Sequence, residues 1–428
     1  MKTKKILFTS VFLSCFIILG LNAQSDLERS LFNLPDVIFT PIKTPDNYEA
    51  AYKLMIKQPL DHKRPEAGYF YQKVYFSYKG QDRPTAIITN GYNKGGNNVT
   101  EVAELLDANQ LNVEHRYFGE SSPDSLDYTY LNFEQVTADL HHIRMLFDHI
   151  LPGKWISTGI SKGGTTTIFY KYFYPNDVDV SIPYVAPLNY EYEEKRIYEF
   201  LEKVGTQQCR TDMLELQKRL LEEGEDNLQD LNWFVKGKGL SFTYLTLGEA
   251  FEYAVLELPF SFWQYGQDCS KIPSEENTRE ERLQYLLDIV GVDFYSDGDM
   301  QAYASHYYQS ANEMGYYGYE TDAFRGLLKF LPYEPHPHAA FTPNKMEVEW
   351  EGTLTNKVAD WIKVNGSQMI YINGAIDTWS ATAVQPSEGV DALWYFLEGR
   401  HHADARIRSM SKEQKELMLR KIDEWLGN

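Results

Sequence analysis

Seven residues, Thr158-Gly159-Ile160-Ser161-Lys162-Gly163-Gly164, carry the Gly-x-Ser-x-Gly spacing that places a serine hydroxyl at the tip of a sharp strand-to-helix turn. A serine hydroxyl is a poor nucleophile near neutral pH, so chemistry at Ser161 requires an imidazole to take its proton and a carboxylate to orient that imidazole. Two later stretches offer these groups, the acid before the imidazole. Asp377 follows the apolar run 368–372 by five residues, and His401 follows the apolar run 393–397 by four, so both would emerge at strand ends. His401 is the expected base, with the adjacent His402 as its competitor. The chemistry such a set performs is acyl transfer through an ester on Ser161. Its oxyanion would be met by the Lys162 amide at the start of a helix and by a second amide, from Gly91 or Tyr92, in the glycine turn Asn90-Gly91-Tyr92-Asn93.

The elements needed to position these residues are legible around them. Residues 154–157 are short and strand-like, and residues 165–174 can form a helix that Pro175 stops. Residues 51–56 and 69–78 alternate apolar and polar side chains as half-buried strands do. Residues 85–89 and 178–185 are continuous apolar runs, the pattern of strands covered on both faces. A further strand at 111–113 leads into Glu114-His115-Arg116-Tyr117-Phe118-Gly119-Glu120-Ser121, and Val136, Leu140, Ile143 and Phe147 give 132–151 helical spacing. Buried strands alternating with helices imply a parallel, right-handed α/β sheet.

From Glu191 to Pro343 the character changes to long charged or aromatic-rich helical stretches without buried strand runs. The expected organisation is therefore a segment 1–23 that is removed, a first core part 24–190, a mostly helical insertion 191–343 covering the site, and a second core part 344–428. The last part supplies a helix at 358–364, strands at 368–372 and 393–397, and a closing helix at 412–426.

Lys2, Lys4 and Lys5 precede an apolar run from Ile6 to Leu21 and then Asn22-Ala23-Gln24, the layout of a secretory signal peptide. Export to the periplasm or exterior is expected, without stable membrane insertion after its removal. Phosphate binding needs a basic face, so the net charge of −20 argues against nucleic acid as a partner and suits cationic ligands. Cys209 and Cys269 remain outside that apolar run; an even pair in an exported chain suggests one disulfide, the other reading being two free thiols. His401-His402 and His336-Pro337-His338 lack the spacing that converges on one ion, so neither a metal nor a cofactor is expected.

Taken with Gln58-Pro59-Leu60-Asp61-His62, the run Glu114–Ser121, Gly159–Gly164, and the two late turns, the chain resembles the exported serine exopeptidases of the α/β-hydrolase group. That group includes prolyl carboxypeptidase and dipeptidyl peptidase II, and the resemblance is strongest to secreted bacterial prolyl tripeptidyl aminopeptidases. It implies an α/β-hydrolase core with a large, mostly helical cap, and places the triad on Ser161, Asp377 and His401. Lys162 stands where eukaryotic relatives carry an aromatic residue, and Thr378 where they carry proline. The implied substrates are peptides cleaved after proline near a terminus. An acidic insertion favours holding a free α-amine over a terminal carboxylate. Glu313, in a stretch resembling a cap motif of the relatives, is the implied contact for that amine; otherwise it packs the cap or is solvated. Cleavage near the C-terminus, a lipase or esterase on the same scaffold, and a non-catalytic binding protein are the competing readings.

Overall fold

The computed structural model describes residues 26–333 and 336–427. The signal-peptide expectation, on residues 1–23, lies outside them. Nine strands form one sheet: β1 Val37–Pro41, β2 Ala50–Pro59, β3 Tyr69–Tyr78, β4 Thr85–Thr89, β5 Asn109–Val113, β6 Trp155–Ile160, β7 Val180–Tyr184, β8 Ile370–Gly374 and β9 Leu393–Leu397, in the order β1-β2-β3-β5-β4-β6-β7-β8-β9. From β5 to β9 every neighbouring pair is parallel. The first three strands pair antiparallel with one another and with β5. The sheet is thus mixed rather than wholly parallel, because β2 and β3 are joined by a short turn that admits no crossover helix.

Burial follows the strand chemistry. Every residue of β4, β5 and β7 is buried, whereas the edge strand β1 is buried nowhere along its length. The helix Phe133–Phe147 covers one face, turning Leu140, Ile143 and Phe147 onto Phe76, Leu111 and Trp155. On the other face the closing helix Lys412–Leu426 sets Met418, Ile422 and Leu426 against Val180, Ile182 and Ile370. This mixed sheet with helices on both faces and its sharp turn after β6 is an α/β-hydrolase fold.

Between β7 and β8 the described residues contain no strand. Helices Gln207–Glu222, Gly224–Lys238, Leu247–Gln264 and Arg279–Ile289 pack around their own apolar cluster, which includes Leu216, Leu220, Phe251, Val255 and Leu286. Cys209 and Cys269 are joined by a disulfide that ties the first of these helices to the turn after the third. The helix Leu247–Gln264 contains Pro259, which cannot donate to the carbonyl four residues back. That carbonyl, of Val255, instead accepts from Gln217 Nε2 at 2.7 Å.

Candidate active site

Ser161 joins β6 to the helix Lys162–Phe173 with φ 58° and ψ −127°, a conformation that costs a non-glycine residue energy and persists only where its surroundings fix it. The surroundings here are backbone. The Ser161 amide donates to the Tyr184 carbonyl at 2.9 Å. A Cβ at Gly159 would lie 2.3 Å from the Gly163 carbonyl oxygen, and one at Gly163 would lie 2.2 Å from that of Thr89, so the turn closes only with glycine at both positions. Gly91, just beyond β4, is pressed on the same turn: a Cβ there would meet Lys162 Cβ at 2.6 Å and Gly163 N at 2.9 Å.

Asp377 follows β8, is wholly buried, and accepts the Trp379 amide at 3.1 Å through Oδ1. Its Oδ2 lies 2.8 Å from Nδ1 of His402. The expectation for His401 is corrected by this contact. The His401 amide is held by Asp404 Oδ1 at 2.7 Å, and its ring turns onto Gly266 in the helical region, 3.6 Å from Asp404. With one residue of the pair anchored outward, the next turns inward. The His402 amide donates to the Gln264 carbonyl at 3.0 Å, at the end of the helix Leu247–Gln264, and its own carbonyl accepts from Arg406 at 3.1 Å.

Ser161 and His402 line one cavity of about 320 Å³. Its walls are Tyr92, Tyr265, Tyr303, Tyr316, Tyr317 and Trp379, with Glu257 and Ser261 at the helical side. Phe260 stacks on Tyr317 with centroids 3.9 Å apart and meets Trp379 edge-on at 5.0 Å, which stiffens that wall. Glu257 accepts three hydroxyls: Ser261 at 2.9 Å, Tyr317 at 2.8 Å and Tyr319 at 2.9 Å. Burial pushes its carboxyl up to about 7 against those three bonds.

Glu313 requires a second correction. It is buried away from this cavity, where Oε1 accepts the Phe133 amide at 2.6 Å and Gln309 Nε2 at 3.0 Å, and burial pushes its carboxyl up to about 8. There it receives the first amide of the helix Phe133–Phe147, an otherwise orphaned donor. Lys162 is buried as well. Its Nζ lies 4.7 Å above the Phe118 ring and 5.3 Å above that of Tyr92, without a hydrogen-bond partner among the described residues, and burial lowers it to about 7.

The run Glu114–Ser121 holds this wall in place. Glu114 Oε2 accepts both the amide and hydroxyl of Ser121, and its Oε1 accepts the Lys94 amide and faces Lys73 Nζ at 2.8 Å. Arg116 grips Asp139 with two bonds of 2.7 Å. His336, one of the histidines in the second His-containing motif, faces Glu193 at 2.6 Å. Glu257 escapes sequence reasoning; the one signal is a carboxylate inside the apolar run Leu247–Gln264 with serine one turn later.

The chain is 27% identical over 413 residues to a prolyl tri/tetrapeptidyl aminopeptidase of Streptomyces mobaraensis, covering 94% of this chain and 86% of the relative. It is 24% identical to a probable serine protease, EDA2, of Arabidopsis thaliana, over 56% of this chain and 53% of that one. Among solved structures, a proline iminopeptidase of Mycobacterium smegmatis aligns over 87% of this chain and 98% of its own with 9% identity and a TM-score of 0.42. The sequence pattern of the PS-10 peptidase S37 family matches residues 23–428, so the chain belongs to that family of serine peptidases.

Proposed function

We propose that this peptidase is exported and releases short peptides from free N-termini, cutting after proline, with Ser161, His402 and Asp377 as its triad. The observation that carries the terminus is Glu257: a carboxylate sits in the cavity of Ser161 and His402, and the lining residues include neither Lys nor Arg. An α-ammonium finds a carboxylate there, whereas a terminal carboxylate finds no Lys or Arg. The aromatic wall of Tyr316, Tyr317 and Trp379 suits a proline ring, whose flat apolar faces stack on aromatic side chains. The Streptomyces mobaraensis relative's named specificity supports the same reading.

In this mechanism Ser161 Oγ attacks the carbonyl carbon of the scissile bond while His402 Nε2 takes its proton. Asp377 holds Nδ1 and so fixes which nitrogen is free. The Lys162 amide, at the positive end of its helix, and the Tyr92 amide meet the oxyanion. Tyr92 is the better second donor than Gly91, since Tyr92 lines the cavity and Gly91 is wedged beneath it on Lys162. His402 then protonates the leaving amine, and water enters by the reverse steps to free the acyl portion.

Incubation with a mixed peptide library, read by mass spectrometry, tests the proposal. Short N-terminal fragments ending in proline are expected, and N-acetylated versions of the same peptides should survive. Release from C-termini, or preference for butyrate and laurate esters over any peptide, overturns it.

A further inference from the structure

A second cavity, of about 350 Å³, adjoins the first. Tyr92 lines both, and Gly159 and Ile160, which immediately precede Ser161, line the second. Its chemistry is the opposite of the first. Lys94, Arg406 and Arg408 line it, and none of them forms an ion pair with a carboxylate among the described residues, although the chain carries a net charge of −20. Glu101 is the acid in the lining; it accepts the Ile407 and Arg408 amides at 2.9 and 2.7 Å and the Tyr184 hydroxyl at 3.2 Å and acts on Arg406, which leaves three cations facing one carboxylate. Burial lowers the Lys94 ammonium with no opposing carboxylate, so that charge is held at a cost. Asn112, wholly buried, also lines the cavity, and its Nδ2 has no hydrogen-bond partner among the described residues.

The position relative to the chemistry selects the occupant. Glu257 and the acyl half of the substrate fill the first cavity, so the leaving half must depart on another side of Ser161. Arg406 ties the second cavity to the base, since its Nη1 donates to the His402 carbonyl at 3.1 Å. We propose that this second cavity receives the leaving segment of the peptide and selects a carboxylate there, either an acidic side chain or the C-terminus of a short substrate. The inference rests on the N-terminal exopeptidase reading above. Lys94 and Arg406 are half-buried and Arg408 is exposed at the rim, so the two half-buried cations and the buried Asn112 amide discriminate a carboxylate from its neutral isostere more sharply than Arg408 alone would.

The test uses pairs of free-amine peptides with proline before the scissile bond, identical except for Glu or Gln one or two residues after it. The expected kcat/KM ratio is about tenfold in favour of Glu, falling toward one in Arg408→Gln and in Lys94→Gln and falling with added salt. A ratio near one in the unmodified enzyme, with both peptides cleaved and with short substrates bearing a free or an amidated C-terminus cleaved equally well, overturns this inference and leaves the exopeptidase reading standing. Failure to cleave either peptide overturns both. Inorganic phosphate supplies the remaining arm. If millimolar phosphate changes the cleavage of both peptides equally, and Arg408→Gln removes that response, the cations serve a free anion and the leaving-segment assignment is wrong.

Discussion

The two halves of the active cavity are built by different means. On the sheet side, Ser161, the Lys162 amide and Gly91 are fixed by backbone crowding: carbonyls and amides approach where three glycines carry no Cβ. On the helical side, Glu257, Ser261, Tyr317 and Tyr319 are fixed by side-chain hydroxyls converging on one buried carboxylate. The first construction tolerates no added atom, and the second tolerates changes that keep a donor in reach. On the proposed function, chemistry resides where the chain cannot yield, and recognition where it can be retuned.

That contrast can be broken most severely at the base. His402→Ala should lower kcat by about 10⁴, while His401→Ala, outside the pairing with Asp377, should change it less than about tenfold. Steady-state kinetics on one chromogenic peptide compares the two, and the reverse order would reassign the triad. Next comes Gly91→Ala, whose added methyl must displace either Lys162 or the turn. The expected loss in kcat is about 10²–10³ at nearly constant KM, as for removal of an oxyanion donor.

On the helical side Glu257→Gln should leave kcat on amine-blocked substrates little altered while raising KM for free-amine peptides by about 10–100-fold. Because the ionised carboxylate is the form that pairs with an ammonium, unmodified enzyme should bind free-amine peptides progressively less well as pH falls through about 7. The Gln variant should lose that dependence in a KM-against-pH profile.

Glu313 offers the smallest and most specific effect. Its folded-state carboxyl, raised to about 8 from 4.5, keeps a proton that the unfolded chain has released, so its contribution to stability is present at low pH and declines as pH rises from about 4.5 to 8. Glu313→Gln should flatten the decline of Tm with pH across that window. Parallel curves for the two proteins would show that the carboxyl does not titrate there.

How much of this is legible in sequence differs by element. The strands at 85–89 and 393–397 and the helix at 412–426 are readable to the residue, because their apolar patterns meet turn or capping residues at both ends. The strand Val37–Pro41 is not, since an edge strand without a buried residue has no hydrophobic pattern to detect. Residues 301–319 belong to the insertion expected to be mostly helical; in the structure the stretch from Asp297 breaks into the short helices Asp297–Ala302 and Ala304–Gln309 and a wide turn Ser310–Met314 ended by Gly315 at φ 68°. Ser161 and Asp377 follow from spacing to strand ends. The choice between His401 and His402 does not, because it turns on Asp404 anchoring one backbone amide. Glu257 is hidden for a similar reason: the tyrosines that mark it as polar lie 60 and 62 residues away.

One contact between the two halves has a metric consequence. His402 hangs by its amide from the carbonyl of Gln264, and Glu257, the carboxylate proposed to meet the amine, stands on the same helix. At about 1.5 Å per residue, the seven-residue interval spans about 10 Å, close to three residues of extended peptide at about 3.3 Å each. Under the proposed assignment the helix acts as a ruler, and lengthening it by one turn between those residues is expected to move the cut about two residues farther from the substrate's first residue.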